Sequence, residues 1–359
     1  MTSDASHRLP GIRGPAPNIL VLSAILALLV AVLSVAVGPT GLSLSALPRA
    51  VSASMGWTDD AESRRMGLIL IGVRLPRTVL GLFVGGALAM AGVMMQGLFR
   101  NPLADPGLIG VSSGAALAAI ATIALGNGMA LGFTQALGLY AVPVAAFLGG
   151  LCTTFALVSV ANRNGQVATG TLLLAGVAIA ALTGALSGLI AFVSDDRELR
   201  DLTLWSMGSL SGASWAKVTA VLPFAVVLAF LVPRLTRGLN GFLLGESEAF
   251  HLGIDTETSK RAIVAATAAA VGAAVAVAGI VGFVGLVVPH FIRLLASPDH
   301  RVVLPASACA GGAIVVGADV IARMAAPPAE LPLGIVMAAI GAPLFLHLVL
   351  RRGAGGMDQ

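Results

Sequence analysis

From Thr78 to Phe99 the chain runs for 22 residues without one Lys, Arg, Asp or Glu. That length matches the roughly 20 apolar residues a helix needs to cross a bilayer. About ten such segments can be drawn: Ile19–Gly38, Thr78–Phe99, Leu108–Leu125, Tyr140–Ala161, Thr171–Val193, Val218–Val232, Ala262–Gly279, Phe283–Ile292, Val302–Val320 and Leu331–Leu350. Lipid offers no partner to backbone N–H and C=O groups, so a spanning segment must satisfy them as a helix or a closed barrel. Barrel strands alternate apolar and polar residues, whereas these runs are continuous. Only 11% of the residues are charged, against about 25% in a soluble domain. The chain therefore reads as an all-α membrane protein with residues 19–352 in one transmembrane domain, a segment 1–18 before it and a tail 353–359. Ile19–Gly38 is longer than the apolar region of a signal peptide and reads as a retained span.

Between Arg261 and Arg293 lie 31 uncharged residues, too many for one upright span and too few for two. Gly279, Gly282, Gly285 and Pro289 offer places to break, which predicts a full helix, a tight reversal and a short helix. Three polar stretches separate other spans. Thr40–Val73 reads as a loop, Ser194–Asp201 as a mixed-charge turn, and Arg234–Arg261 as the longest polar connection, with its loop placed at 235–261.

VGGALAMAG, Val84 to Gly92, and VGAAVAVAG, Val271 to Gly279, agree at six of nine positions and lie five spans apart. An odd separation inverts the second copy, the pattern of an inverted-topology repeat. Small residues needed for close helix contact are the alternative explanation. The loop charges favour an inside N-terminus only weakly under the positive-inside rule.

Several chemistries are disfavoured. The only lysines are Lys217 and Lys260, neither of them in a GxxxxGK[ST] loop, so no phosphate cradle is present and any ATP hydrolysis belongs to another chain. GVSSG, Gly110 to Gly114, resembles a nucleophile elbow, but that motif needs a strand before it, and small residues for helix contact explain it better. Cys152 and Cys309 read as buried thiols, His290 and His347 lack spaced partners for a metal, and no basic stripe points to nucleic acid. Asp319 precedes Arg323 by four and can pair with it along one helix face.

RNPLADPGLIG, Arg100 to Gly110, sits between two apolar runs. A lone Asp at mid-bilayer costs about 2.5–3.5 kcal/mol, so this segment has to face protein or a watery cavity. Its prolines end one helix and begin the next, and Asp105 reads as a helix cap rather than a proton carrier.

RLPRT from Arg74, QGLFRNPLADPGLIGVSSGAALAA from Gln96, LLLAGVAI from Leu172, LLGESEAFHLGI from Leu243, GIVGFVGLVVPHFIRLL from Gly279 and AELPLGIVMAAIGAPLFLHLVL from Ala329 together resemble the permease subunits of the iron-chelate, haem and cobalamin ABC importers. The resemblance implies ten helices, both termini cytoplasmic, a bacterial inner-membrane location and a homodimer with the substrate path on its axis. It also implies two ATPase chains, which use ATP and Mg, and one periplasmic binding protein; the permease itself binds no cofactor and is no enzyme. The coupling element that enters the ATPase would comprise Leu243, Leu244, Gly245, Glu248, Phe250, Leu252 and Gly253. Arg74, Arg77 and Arg323 would meet acids of the binding protein. The inner gate would use Asn101 and Leu103, with a second constriction at Thr169 and Gly170, where cobalamin permeases carry a serine in place of the glycine. Ser194 to Trp215 is most similar to haem permeases, so haem is the expected cargo, with ferric siderophore and cobalamin as alternatives. An ion-coupled secondary transporter is the reading from another class; it would need more intramembrane acids than Asp319 and Asp105.

Overall fold

The computed structural model describes residues 17–39, 44–58, 60–126, 128, 130–163, 166–296 and 298–355. Fifteen α-helices account for most of them: α1 Pro17–Ala36, α2 Leu47–Ser54, α3 Ala61–Ile69, α4 Leu75–Leu98, α5 Val111–Leu125, α6 Leu131–Leu137, α7 Ala141–Ala161, α8 Thr169–Val193, α9 Asp196–Ser206, α10 Trp215–Leu244, α11 Glu246–His251, α12 Thr256–Ala278, α13 Val284–Leu295, α14 His300–Met324 and α15 Leu333–Gly355. Seven helical units are long and apolar enough to cross a membrane, and α5, α13 and the apolar part of α15 are shorter. Each of the ten expected spans coincides with one of these. Between α7 and α8, β1 Asn162–Arg163 pairs antiparallel with β2 Gln166–Val167, a small element absent from the all-helical reading.

Three expected connections are helices instead. The stretch 44–73 holds α2 and α3, and α3 runs through a wider π-type turn, Leu70–Arg74, straight into α4. The charged stretch after Ser194 opens α9. Asp195 accepts from the Glu198 amide at 2.7 Å while Glu198 accepts from the Asp195 amide at 3.2 Å, a reciprocal cap written in the sequence as D-x-x-E. The expected loop 235–261 shrinks to residues 245–255, because α10 continues to Leu244 and α12 begins at Thr256. Leu235, Leu239 and Phe242 are buried while Arg234 and Arg237 face out, so helical period 3.6 carries the charges on one face without ending the helix. The reversal after α12 falls at Gly279–Phe283 as expected, but Pro289 lies inside α13. The helical tail runs through residues 353–355.

The two repeat copies lie in α4 and α12 and are buried at every position. The two helices run in opposite directions, as inversion requires: Gly81 near the start of α4 meets Leu210, whose neighbour Ser209 donates to the Ala278 carbonyl at the end of α12, while Arg100 just past α4 lies by Gly245, next to the Glu246 that pairs with Lys260 near the start of α12. The close approach expected of small residues is extreme in α4. A Cβ at Gly92 would lie 1.7 Å from the Gly285 carbonyl oxygen of α13, and one at Gly85 would lie 2.1 Å from that of Gly311 in α14. GVSSG serves the same purpose on α5, where a Cβ at Gly114 would meet Thr153 Oγ1 of α7 at 2.0 Å.

At the end of the bundle where α4 begins, three arginines join four elements. Arg77 grips Asp319 of α14 through Nε and Nη2, at 3.0 and 2.8 Å, and Glu330 of the α14–α15 connection through Nη1 and Nη2, each at 2.8 Å. Arg323 stands 3.6 Å from Asp319, confirming that expected pair, and donates to the Ser34 carbonyl of α1 at 2.8 Å. Arg74 donates to the Ala36 carbonyl at 2.9 Å. All three arginines stand at the ends of spans, as expected for docking residues, but they are buried there among acids and carbonyls of this chain, as the cost of an unpaired buried charge requires. Arg323 Nε lacks a hydrogen bond among the described residues and faces Asp319 at 3.6 Å.

Gly92→Ala and Gly85→Ala should each destabilise the protein by about 1–3 kcal/mol, as overpacking does, and lower the thermal midpoint in detergent. Gly184→Ala, whose Cβ meets nothing within 4 Å, should leave the midpoint unchanged or raise it. The Glu330 carboxyl, hydrogen-bonded by Arg77, is held below its ordinary value of 4.5 although burial opposes this. Its stabilisation is therefore complete above pH 4.5 and disappears as pH falls through the lowered value. Glu330→Gln should lower the midpoint at pH 7, and an acid titration should bring the two midpoints together.

Candidate functional site

The opposite end of the bundle carries the polar knot and the α10–α12 connection. At the end of α4 the chain reverses through Arg100, whose φ is +48°. Asn101 turns the next residues by accepting from the Leu103 amide at 2.9 Å. Asp105 accepts from the Gly107 amide at 2.7 Å and starts a 3₁₀ turn, Pro106–Ile109, the capping role expected of it. Gly110, with φ +73°, then opens α5. A Cβ at Gly176, two turns into α8, would meet the Leu108 carbonyl at 1.9 Å, and one at Gly285 would meet Pro106 at 2.9 Å. The knot thus re-enters the bundle between α8 and α13, and Ala104, Pro106 and Ile109 are buried there. Its irregular backbone lies against protein, as the absence of water in a bilayer demands. Asn101 and Leu103 stay exposed.

Thr169 and Gly170 form the first turn of α8. Thr169 is half-buried, and Gly170 is exposed with nothing within 4 Å of a Cβ placed on it. The α8 helix as a whole is the least enclosed of the long ones, with only Leu172, Gly176 and Thr183 buried. The two sets of proposed gate residues therefore stand on neighbouring elements, the knot and the head of α8, that touch at Leu108 and Gly176.

The α10–α12 connection is built on two glycines. Gly245, with φ +115°, turns the chain out of α10, and Gly253, with φ +77°, turns it back toward α12, conformations that residues with a Cβ rarely adopt. Ala249 is fully buried and pins α11 to the bundle. The other apolar residues of the segment face outward: Leu243, Leu244, Phe250 and Leu252 are between 46% and 67% exposed. Glu248 is exposed beside them. Large apolar side chains thus stand exposed around a short polar helix, Leu243 and Leu244 at the end of α10, Phe250 in α11 and Leu252 just after it. Arg100 reaches toward this corner, its Nη1 lying 3.7 Å from where a Cβ of Gly245 would be.

Residue reading missed two buried polar groupings here. Lys260 reaches Glu246, Glu257 and the Val167 carbonyl. Asn240 joins Asp299 at 2.7 Å and both the amide and ring of His300, at 2.9 and 2.8 Å. The first had a local signal in the i,i+3 pair Glu257–Lys260. The second joins residues 60 apart in the chain, and no periodicity could announce it. Among the described residues, no group of three His, Cys, Asp or Glu is placed to hold a metal.

Known proteins resemble the chain over nearly its whole length. The model of the FecCD transport family matches residues 25–351. The cobalamin import system permease of Halobacterium salinarum is 44% identical over 79% of this chain and 74% of its own. The hemin transport system permease of Yersinia pestis is 42% identical over 82% and 86%, and the vitamin B12 import system permease of Klebsiella pneumoniae 42% over 89% and 94%. Among solved structures, a metal-chelate type ABC transporter in an inward-facing conformation superposes with a TM-score of 0.80 at 29% identity, covering 93% of this chain and 99% of that one. A ten-span helical bundle, a re-entrant polar knot and an exposed apolar corner thus coincide with a match across most of the sequence, and the chain belongs to the FecCD transport family of ABC importer permeases.

Proposed function

We propose that this chain is the membrane subunit of an ATP-driven importer of a metal chelate, working as a homodimer with two ATPase chains and one binding protein. The observation that carries the reading is the α11 corner, where Leu243, Leu244, Phe250 and Leu252 stand exposed around Glu248. Four apolar side chains on a two-glycine frame suit a cleft in a soluble partner, and the absence of a phosphate loop in this sequence makes an ATPase the partner that an importer needs. Gly245 and Gly253 supply the turns that present the helix. With this end cytoplasmic, both termini are cytoplasmic too, in a bacterial inner membrane.

Asn101 and Leu103 in the knot, with Thr169 and Gly170 at the head of α8, are the proposed inner constrictions. The exposure of Asn101, Leu103 and Gly170, and the open lipid-facing or partner-facing side of α8, fit a path between two copies. At the outer end the proposed anchor for the binding protein is the Arg74, Arg77 and Arg323 cluster. The Glu330 side chain on Arg77 is partly exposed, which gives the cluster a face toward the outer surface. ATP and Mg act on the ATPase chains.

Haem is the first cargo we propose, supported by the Ser194–Trp215 segment and by likeness to a hemin permease. Cobalamin is the second reading, supported by the likeness to two cobalamin permeases. ATPase stimulation of the reconstituted importer by binding proteins loaded with haem, cobalamin or a ferric siderophore decides among them. For the coupling corner, Glu248→Lys combined with Gly245→Trp should reduce ATPase co-purification and transport about tenfold or more, the loss expected when hot-spot contacts worth ~1.4 kcal/mol or more are removed. Intact co-purification and transport would overturn the assignment.

A further inference from the structure

Lys260 is one of two lysines in the chain, and the second turn of α12 buries it to 5% exposure. A buried ammonium is tolerated only when its donors are satisfied. Its partners come from three elements. Glu246, the first residue of α11, makes a short ion pair with Nζ. Glu257, one turn back on α12, lies at 3.1 Å. The third is the Val167 carbonyl on β2, at 3.2 Å. Glu257 closes the loop by accepting from the Val167 amide at 2.9 Å. Both polar backbone groups of Val167 are thus held by the ion pair that also holds the head of α11. Val167 is 2% exposed, and α8 begins two residues later with Thr169 and Gly170.

The links differ in how easily they can yield. The Glu257 side chain is 25% exposed and that of Glu246 51%, against 6% for Lys260. The bond to α11 therefore faces water, while the bonds to α12 and β2 lie inside. The α12 helix is among the most enclosed in the bundle and can serve as a fixed post. An object seated on α11 meets the exposed end of this arrangement, and the first turn of α8 is attached to its buried end.

We propose that Lys260, with Glu246 and Glu257, is a strut that transmits displacement of α11 to the first turn of α8 and so positions Thr169 and Gly170. This rests on the reading of α11 as the seat of an ATPase and of α8 as part of the gate. Lys260 touches neither partner nor cargo and is a positioning residue.

The mechanical link can be tested on the purified permease alone. Glu246→Gln alters only the α11 end, yet it should accelerate hydrogen exchange of the Val167–Leu172 amides about threefold or more, as local opening becomes easier. Unchanged exchange in that segment would overturn the strut whatever the partner proves to be. The functional arm uses the importer in liposomes with Cys152→Ser and Cys309→Ser, and Gly170→Cys as a labelling site. Lys260→Met should keep the ATPase chain bound and hydrolysing, lose about tenfold in transport per ATP, and lose the ATP-dependent change in labelling at position 170; Lys260→Arg should restore part of each, since it keeps the charge and donors. Transport per ATP and labelling within about twofold of the parent in Lys260→Met would overturn it. A parent permease that captures no ATPase chain would instead refute the importer reading, with the exchange result still deciding the strut.

Discussion

The distance at which α4 meets its neighbours governs the rest of the bundle. In lipid, helices gain little from hiding apolar surface from one another, so their association depends on contact and on polar bonds between them. Contact at Gly85 and Gly92 places backbone against backbone, with the Gly311 and Gly285 carbonyls filling the space a methyl group would take. That packing seats α14 and then α13 along α4, at positions two turns apart on one face, and brings Arg77 to Asp319 at one end and Gly97 to His300 at the other. It also fixes the depth at which the Arg100–Gly110 knot re-enters, since Pro106 rests against Gly285.

The two ends of this rigid centre carry different kinds of polarity. Where α4 begins, charge is buried and paired, and it ties α1, α14 and the α14–α15 connection together. Where α4 ends, the backbone of the knot is satisfied by short local turns, Lys260 is buried with Glu246 and Glu257, and Leu243, Leu244, Phe250 and Leu252 stand exposed beside Glu248. A buried ionic cluster restricts relative motion because breaking it exposes charge. An exposed apolar corner on a two-glycine frame is suited to receive a partner.

Much of this was legible in the residues. Continuous apolar runs located all ten spans, because the bilayer imposes length and hydropathy directly on the chain. The matching small-residue stretches Val84–Gly92 and Val271–Gly279 marked the two helices that are among the most enclosed. Asp105 as a cap and Asp319–Arg323 as a helical pair were visible because both act over two to four residues. The apolar faces of 44–74 and 234–244 were misread as loops because charges there lie on one side of a helix, and composition alone cannot see sides. The small β1–β2 pair is too short for any periodicity.

The burial of Arg74, Arg77 and Arg323 could not be read at all. Glu330 follows Arg77 by 253 positions, and Lys260 lies 93 from Val167; no local rule connects such residues. The sequence by itself determined the class, the number of spans and the inverted pair, since each follows from hydropathy or spacing along the chain; the coupling residues around α11 came from family resemblance. Which charges face one another, how far the knot enters and what joins α11 to α8 were decided only by tertiary structure, because those contacts depend on how closely small residues let separate helices approach.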